Sequence, residues 1–450
     1  MKKIIALLLA AIMVVGLVAC GAKQEAAPAP APEKAPEAAP APEKAPEAAP
    51  APAPEAAADK IPVHYVVALY SDATPTYYEK MVADFEAANP DIDVTLEVIG
   101  WSDISTRINT MVAAQQAPDI YAGGSASAFL EDELVYQAKD VVSEELQKDF
   151  YATFWNNNVN PDDGNIYQIP FVASVRSLYC NKKIFDEVGL TETPKTWKEV
   201  EEYCQKITDH YNGEVYAWGI DATGTEGQTM AAYYGWNNGG GYVDADGNYI
   251  LNCEGNVGAY EWAKKLYDNG WTNKSPVTEL RDDMQKLVAG DKMAMLITAN
   301  FFPALYPECE LLMGEVPYND EVQDKAISMA VQDALIFFNS NAKAEEDTPE
   351  KLEAISRFVD YMYAAEQYLP FCVQEGLLPA TASGIDLLVE QDPSQAAYIS
   401  ILENAQFYAR SKSNWNDCSA GLCDAAGKIF SNQMSVQDAL DEVQAICEEG

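Results

Sequence analysis

The chain has 450 residues, of which 29 are Lys or Arg, 70 are Asp or Glu and two are His, so its formal charge at pH 7 is −41. This charge argues against binding to nucleic acids or anionic membrane surfaces, because both require a basic face. Apolar residues make up 48% of the chain and include 8 Trp, 25 Tyr and 14 Phe, which excludes wholesale disorder. Residues 1–60 contain none of these aromatics, so the folded unit begins near residue 61.

Residues 1–19 have the features of a secretory signal peptide. Lys2 and Lys3 precede an uncharged apolar run over 4–15, and small residues lead from there to Cys20. The stretch 4–19 is shorter than the roughly 20 residues that span a bilayer, which disfavours the alternative of a retained transmembrane helix. We therefore expect an exported protein.

The segment Leu17-Val18-Ala19-Cys20-Gly21 resembles the lipobox of bacterial lipoproteins, in which the cysteine is diacylated and becomes the new N-terminus. This resemblance implies lipidation of Cys20 and a location on the outer face of the cytoplasmic membrane, on the extracellular or periplasmic side. The alternative is an ordinary cleavage site that contains a cysteine.

Residues 20–60 form a linker of low complexity. Between Gly21 and Lys60, 27 of 40 residues are Ala or Pro, and the decapeptide at 31–40 is repeated unchanged at 41–50. Such a chain in the polyproline conformation rises about 3.1 Å per residue and reaches on the order of 100 Å. We interpret the linker as a stalk, and a functionless expansion of the repeat is the alternative.

The start of the folded unit alternates between strand and helix patterns. The predicted elements are, in chain order, a strand over 63–70, a helix that begins at Thr74-Pro75 and ends at Asn89-Pro90, a strand over 94–98, a helix that follows Ser102 and stops at Pro118, and a strand over 119–122. This order predicts an α/β fold with a mostly parallel sheet and helices on both faces. Its ligand crevice should lie at the carboxyl ends of the strands.

Those strand ends carry the first candidate ligand-binding side chains, Tyr70, Trp101 and Ser125. Trp101 follows a strand directly, where a core residue is less expected, and Gly123-Gly124 lets the backbone approach a partner closely. Ordinary turn chemistry is the alternative for these residues.

A second candidate segment, 233–241, combines three aromatic side chains and two amides with a glycine triplet. Buried cores do not usually have this composition, so we interpret Tyr233, Trp236 and Asn237 as ligand-binding residues. We expect Trp236 to stack on the ligand. The alternative is that Trp236 fills the core of a second lobe.

Known catalytic and metal-binding patterns do not occur in the sequence. Two histidines, His64 and His210, cannot form a histidine cluster or a Ser-His-Asp arrangement, and there is no C-x-x-C pair and no phosphate-binding glycine motif. We therefore predict no catalytic residues, no metal and no cofactor. Eight cysteines besides Cys20 permit disulfides, but their spacing selects none of the 105 possible pairings.

Six segments in order, over roughly 61–450, resemble the family 1 extracellular solute-binding proteins of ABC importers, a group similar to maltose-binding protein. The segments are Ala117-Pro118-Asp119-Ile120, 164–170, 178–185, 194–197, 287–295 and Gly376-Leu377-Leu378-Pro379. The resemblance implies two lobes, each a mostly parallel sheet flanked by helices, joined by a hinge of crossing strands. Lobe 1 is expected to comprise 61–168 and 323–382, and lobe 2 to comprise 169–322 and 383–450.

The same resemblance implies a ligand held between the lobes. Positions that match Tyr233, Trp236, the Asn300-Phe301-Phe302 stretch and Trp415 often line the cleft in this family. Arg176 leads into the hinge, and Asp333 stands where glycine is usual. The full set of candidate ligand-binding residues is Tyr70, Trp101, Ser125, Arg176, Tyr233, Trp236, Asn237, Asn300, Phe301, Asp333 and Trp415.

Together these features predict a lipid-anchored, monomeric binding protein that captures a mono- or oligosaccharide and delivers it to the permease of an ABC importer without catalysing a reaction. Aromatic side chains cover the apolar face of a sugar ring, while amides and carboxylates bind its hydroxyls. One alternative keeps the fold but binds a cation such as a polyamine, which the negative charge and Asp333 favour. The other is a secreted carbohydrate hydrolase that uses paired carboxylates.

Overall fold

A computed structural model of the protein describes residues 60–161, 163–224, 226–409, 412 and 414–449. The signal peptide, Cys20 and almost all of the linker lie outside these ranges. Strands β1 to β10 occupy Ile61–Leu69, Ile92–Gly100, Ile120–Ala122, Gln168–Asn181, Tyr216–Trp218, Met293–Ala299, Leu311–Gly314, Ser328–Phe337, Leu378–Pro379 and Ala405–Gln406. Helices α1 to α16 occupy Thr74–Ala88, Ile104–Ala113, Ala138–Val141, Glu144–Asp149, Ala152–Asn156, Lys182–Val188, Trp197–Tyr211, Glu254–Asp268, Arg281–Ala289, Phe302–Leu305, Pro349–Tyr363, Ala365–Glu375, Ala382–Gln391, Ala396–Leu402, Trp415–Phe430 and Val436–Glu449. Within the described ranges no helix has both the length and the apolar character that a membrane span requires.

The predicted β-α-β-α-β order is confirmed. β1 pairs in parallel with β2 and with β3, so the carboxyl ends of all three strands lie at one edge of the sheet. Pro75 lies in the first turn of α1, where its missing N–H costs nothing. Tyr78, Met81, Val82 and Phe85, at helical spacing, form the buried side of that helix.

Two long strands, β4 and β8, connect the two halves of the sheet. Up to Val175, β4 pairs antiparallel with β8, and from Arg176 onwards it pairs antiparallel with β6. β8 also pairs antiparallel with β3, whereas β5 pairs in parallel with β6. Because β4 runs against its neighbours, the second half of the sheet is mixed and not mostly parallel as the sequence predicted.

The described side chains form two large apolar cores. The first core combines β1, β2 and the start of β4 with α1, α11 and α12, and it includes Phe85 and Phe358. The second core combines the end of β4 with α7, α8, α15 and α16, and it includes Trp218 and Trp262. The described residues thus have a mixed α/β architecture with helices packed against the sheet in two separate cores.

The helices after residue 383 contribute to the first core. Ile385 and Leu388 of α13, and Ile401 and Leu402 of α14, are buried there because α13 packs against α12 and α14 packs against β4. Core packing therefore keeps the chain with the first core until Leu402. The crossings between lobes expected near 169, 323 and 383 remain predictions.

A disulfide joins the last two helices. Cys418 on α15 and Cys447 on α16 are bonded, with their Cα atoms 5.3 Å apart. Cys423, which lies nearest to Cys418 in the sequence, instead donates its thiol to Gln228 Oε1 at 2.9 Å. The bond ties α16 to the helix that begins at Trp415.

Candidate functional site

A cleft of about 980 Å³ opens at the carboxyl ends of β1, β2 and β3. One wall consists of residues that follow these strands, and the opposite wall of residues from the starts of α9 and α15. Ser174 and Arg176 of β4, with Val331 and Asp333 of β8, line the cleft between these walls, and we call these four residues the floor.

Tyr70, Trp101 and Ser125, the three strand-end residues predicted from the sequence, all line the cleft. Trp101 is 46% exposed and meets the Tyr70 ring edge-on, with ring centroids 5.5 Å apart. The Tyr70 hydroxyl donates a hydrogen bond to Asp333 Oδ2 at 2.9 Å. Burial, together with Asp333, holds the pKa of Tyr70 well above its ordinary value, so the phenol remains a donor.

Two local features fix the backbone of this wall. The Thr74 hydroxyl oxygen accepts hydrogen bonds from the backbone N–H groups of Tyr70 at 3.1 Å and Ser71 at 2.9 Å, which holds the turn after β1. A Cβ atom on Gly124 would lie 2.5 Å from the Tyr121 hydroxyl oxygen. Any side chain at position 124 would therefore clash with the Tyr121 ring, and glycine allows the backbone to lie this close to it.

The register between β4 and β8 determines which side chains form the floor. Asp333 pairs with Val172, and Val331 pairs with Ser174. Side chains two residues apart on a strand share a face, so Asp333, Val331, Ser174 and Arg176 lie on one face of this strand pair. The floor therefore has a carboxylate at the end near Tyr70 and a guanidinium at the other end.

Arg176 is only 4% exposed. Its Nε donates to the Tyr233 hydroxyl at 3.0 Å, and its Nη1 donates to Ser174 Oγ at 3.0 Å. Burial opposes its charge, but Tyr233 and Glu226 outweigh burial and raise the pKa of Arg176 above its ordinary value. Arg176 is therefore a fixed cation at the floor.

The opposite wall carries an ion pair. Arg281 Nη1 lies 2.6 Å from Glu226 Oε1, and the Arg281 guanidinium lies over the Phe301 ring, 5.7 Å from its centroid. Glu375, at the end of α12, accepts hydrogen bonds from Ser71 Oγ at 3.1 Å and from Thr74 Oγ1 at 3.0 Å. The carboxylates of Glu226 and Glu375 are thus held in place by neighbouring side chains.

Seven of the eleven candidate residues line the cleft: Tyr70, Trp101, Ser125, Arg176, Phe301, Asp333 and Trp415. Trp415 also packs edge-on against Tyr242 with ring centroids 5.0 Å apart, so it belongs both to the wall and to the second core. Whether these seven residues contact ligand stays a prediction.

Trp236 lies in the second core and not at the cleft. It is 5% exposed and meets Tyr242 edge-on, with ring centroids 5.3 Å apart. A Cβ on Gly241 would lie 2.6 Å from the Trp236 indole, and one on Gly240 would lie 2.4 Å from Asn256 Oδ1. The glycines of this segment thus permit close packing around Trp236, which agrees with the alternative that Trp236 fills a core.

The other three candidates support the site from behind. Tyr233 accepts the hydrogen bond from Arg176. Asn237 is fully buried, and its amide donates to the backbone carbonyls of Tyr233 at 3.0 Å and Ile327 at 2.8 Å. Asn300 accepts from the Val175 N–H at 3.0 Å and donates to the Gly376 carbonyl at 2.8 Å, so it links β4 to the segment before β9.

On the opposite wall, sequence reasoning predicted Trp415 but missed Glu226, Gln228 and Arg281, and it also missed Glu375 and Tyr408 elsewhere in the cleft. Glu226 follows β5, the apolar strand that includes Trp218 and pairs in parallel with β6. A strand prediction there, combined with the carboxyl-end rule, would have drawn attention to this segment.

Comparisons with known proteins agree with this architecture. The family described as bacterial extracellular solute-binding protein matches residues 70–368. A Brucella abortus protein named only as a binding protein is 26% identical over 358 residues, which cover 78% of this chain and 84% of the relative. The sn-glycerol-3-phosphate-binding periplasmic protein of Shigella dysenteriae is 22% identical over 334 residues, covering 70% and 73%.

Solved structures show the same fold. A maltose-bound T. maritima protein has a TM-score of 0.73 and 16% sequence identity, and the match covers 86% of this chain and 99% of that one. These relatives are binding proteins and not enzymes. Because the family match spans more than half of the sequence, the chain belongs to the bacterial extracellular solute-binding protein family.

Proposed function

We propose that this protein is the lipid-anchored binding component of an ABC importer and captures a mono- or oligosaccharide. The ligand lies in the cleft between two lobes, which close around it and then present both lobe surfaces to the permease. The proposed ligand contacts are the seven cleft-lining candidates, and no reaction is catalysed.

The observation that carries this proposal is the exposed indole of Trp101 beside the polar floor. An aromatic ring at a cleft mouth can cover the apolar face of a sugar, while Asp333 and Ser174 offer oxygens to its hydroxyls. A cleft of about 980 Å³ has room for more than one sugar ring. The known ligand of the T. maritima relative, maltose, supports this ligand class.

A cationic ligand fits the cleft less well. Although acidic side chains outnumber basic ones over the whole chain, the buried floor carries the cation Arg176. A polyamine would have to approach that guanidinium at short range, where like charges repel most strongly. Glu226, one of the carboxylates on the opposite wall, already forms an ion pair with Arg281.

Binding of sugars is tested by calorimetric titration of the purified protein with a panel of mono- and oligosaccharides, together with a polyamine. We expect saturable binding of at least one sugar and none of the polyamine. Incubation with the same panel should leave every glycosidic bond intact, whereas cleavage would favour the hydrolase alternative.

Lobe closure is tested by small-angle scattering with and without the sugar that binds. A ligand that selects the closed state should reduce the radius of gyration. An unchanged scattering profile at saturating ligand would contradict closure and indicate a rigid pocket.

The lipid anchor is tested by Cys20→Ala, with Cys309→Ala of the folded unit as the matched control. We expect the first variant to leave the membrane fraction and to appear in soluble fractions, and the second to remain with the membrane. Membrane recovery of Cys20→Ala at the wild-type level would contradict lipidation.

A further inference from the structure

Arg176 differs from the other described arginines in its partners. Arg107, Arg281 and Arg357 each have a guanidinium nitrogen 2.6 to 3.1 Å from a carboxylate oxygen, and their side chains are between 24% and 48% exposed. Arg176 is 4% exposed, and both of its side-chain partners are hydroxyl groups. Within the part of the chain that the structure describes, it forms no ion pair.

This arrangement is unusual in a chain with 70 acidic residues and 29 basic ones. A buried charge is costly unless a counter-charge accompanies it, and hydroxyl partners satisfy hydrogen bonds without neutralising the charge. Glu226 favours the charge of Arg176 electrostatically, but its carboxylate is hydrogen-bonded to Arg281. Among the described residues, the fold therefore maintains a buried cation at the floor of the cleft that has no carboxylate bonded directly to it.

The guanidinium also has unused donors. Of its five N–H groups, one on Nε and one on Nη1 are bonded to Tyr233 and Ser174. In the described structure no hydrogen bond from Nη2 accompanies them, while Arg176 lines the cleft. A planar pair of N–H donors matches the two oxygens of a carboxylate or a phosphate.

We propose that the natural ligand is an acidic sugar, carrying a carboxylate or a phosphate ester, and that Arg176 binds its anionic group. This inference rests on the proposed sugar-binding function and specifies its ligand class. Asp333 pairs with Val172, four residues before Arg176 on β4, so the backbone positions of Asp333 and Arg176 lie about 13 Å apart along the strand. The anionic group thus lies at the Arg176 end, and the sugar ring extends toward Tyr70 and Trp101.

The test uses calorimetric titrations with matched pairs of an acidic and a neutral sugar. The monosaccharide pairs are galacturonate with galactose, glucuronate with glucose, and a hexose 6-phosphate with the same hexose. A disaccharide of each uronate is compared in the same way with the disaccharide of the neutral sugar. We expect the acidic member of at least one pair to bind at least tenfold more tightly. If the acidic sugar binds more tightly only in the uronate pairs, the anionic group of the natural ligand is a carboxylate. If it does so only in the phosphate pair, that group is a phosphate ester.

The variant Arg176→Met should lower the affinity for the acidic sugar by roughly 10- to 100-fold, the range for a hydrogen-bonded charge, and remove the preference over the neutral sugar. Arg176→Lys should retain part of the preference, because it keeps the charge and loses the paired donors. Arg357→Met, which removes an arginine outside the cleft, should retain all of it.

Melting curves establish that each variant is folded, and if Arg176→Met does not fold, the wild-type pairs decide the question alone. If the neutral sugar binds as tightly as the acidic one, or more tightly, in every pair for which binding is detected, the inference of an acidic ligand is wrong. The proposed sugar-binding function would still hold in that case. Failure of every sugar, acidic or neutral, would overturn the proposed function and this inference with it.

Discussion

The loops after β1 and β2 and the segment 233–241 both place aromatic rings beside small or polar residues, yet these rings have different surroundings. Trp101 follows β2 and is 46% exposed at the cleft, whereas Trp236 is 5% exposed among the side chains of the second core. Both tryptophans meet a tyrosine edge-on at similar distances, 5.5 Å and 5.3 Å. Local aromatic geometry therefore does not separate a cleft-lining residue from a core residue.

The position of each tryptophan relative to the sheet does distinguish Trp101 from Trp236. Trp101 lies beyond the carboxyl end of a parallel strand, where neighbouring strands and helices diverge and leave a crevice. Trp236 lies in a helical turn whose glycines let α8 approach, as the close contact between Gly240 and Asn256 shows. The same residue types thus line the cleft at a strand end and pack into the core in a helical segment.

The two ends of β3 provide the same contrast for polar residues. Asp119 precedes the strand and is 3% exposed, with Lys343 and Lys351 at 2.7 and 2.6 Å from its carboxylate oxygens. Ser125 follows the strand and lines the cleft. The amino end of β3 is therefore part of the scaffold, and its carboxyl end is part of the cleft.

The largest effect is expected for Trp236→Ala. Removal of a buried indole should reduce the free energy of unfolding by about 3–5 kcal/mol, because the cavity cannot fully collapse. Thermal unfolding of the ligand-free protein measures this loss, and titration of the folded fraction should give an affinity near that of the wild type. A normal melting temperature with lost binding would contradict the core role of Trp236 and support the stacking role predicted from the sequence.

The next effect is expected for Asp119→Asn. Loss of this charge leaves Lys351 without its carboxylate partner and leaves Lys343 paired with Asp347 alone. It should reduce the free energy of unfolding by about 3 kcal/mol at neutral pH, with ligand affinity unchanged. Asp93→Asn is the matched control, because Asp93 pairs with Lys60 at the surface and should contribute little. Reduced sugar affinity in a stably folded Asp119→Asn protein would contradict the scaffold role of the amino end.

The same carboxylate predicts a dependence on pH. Burial opposes its ionisation, but Lys343 and Lys351 outweigh burial and hold the pKa of Asp119 below its ordinary value. A folded-state pKa below the unfolded value of about 3.9 means that the stabilisation is fully present above pH 4 and is lost as the pH falls through the folded-state pKa. Urea unfolding between pH 2 and 7 should therefore show a smaller acid-induced loss in Asp119→Asn than in the wild type.

Sequence patterns predicted the first half of the fold well, because each element there has its own local signal. Pro75 marks the start of α1, and alternation over 94–98 marks β2. The cleft residues that follow β1, β2 and β3 could be predicted for the same reason.

The opposite wall carries no comparable local signal. Glu226 and Arg281 are separated by 55 residues, and they meet only through the packing of α9 beside the segment after β5. The buried amides of Asn237 and Asn300 bond to backbone groups far away in the sequence, as in the 90-residue separation between Asn237 and Ile327. No composition rule distinguishes such an amide from one that binds ligand, which is why the composition of 233–241 predicted Asn237 as a ligand-binding residue. Asn300 was predicted from the family resemblance, which does not separate the two roles either.

The smallest change in the free energy of unfolding is expected for Trp101→Ala, and this variant tests most directly whether the exposed tryptophan differs in role from the buried Trp236. Because the Trp101 ring is half-exposed, its loss should change the free energy of unfolding by less than about 0.5 kcal/mol. If it covers a sugar face, ligand affinity should fall by about 1–2 kcal/mol, or roughly 5- to 30-fold. Trp101→Phe keeps an aromatic face and should retain most of the affinity. Titration and melting of both variants measure these effects, and an unchanged affinity in Trp101→Ala would show that the exposed ring at the strand end has no part in binding.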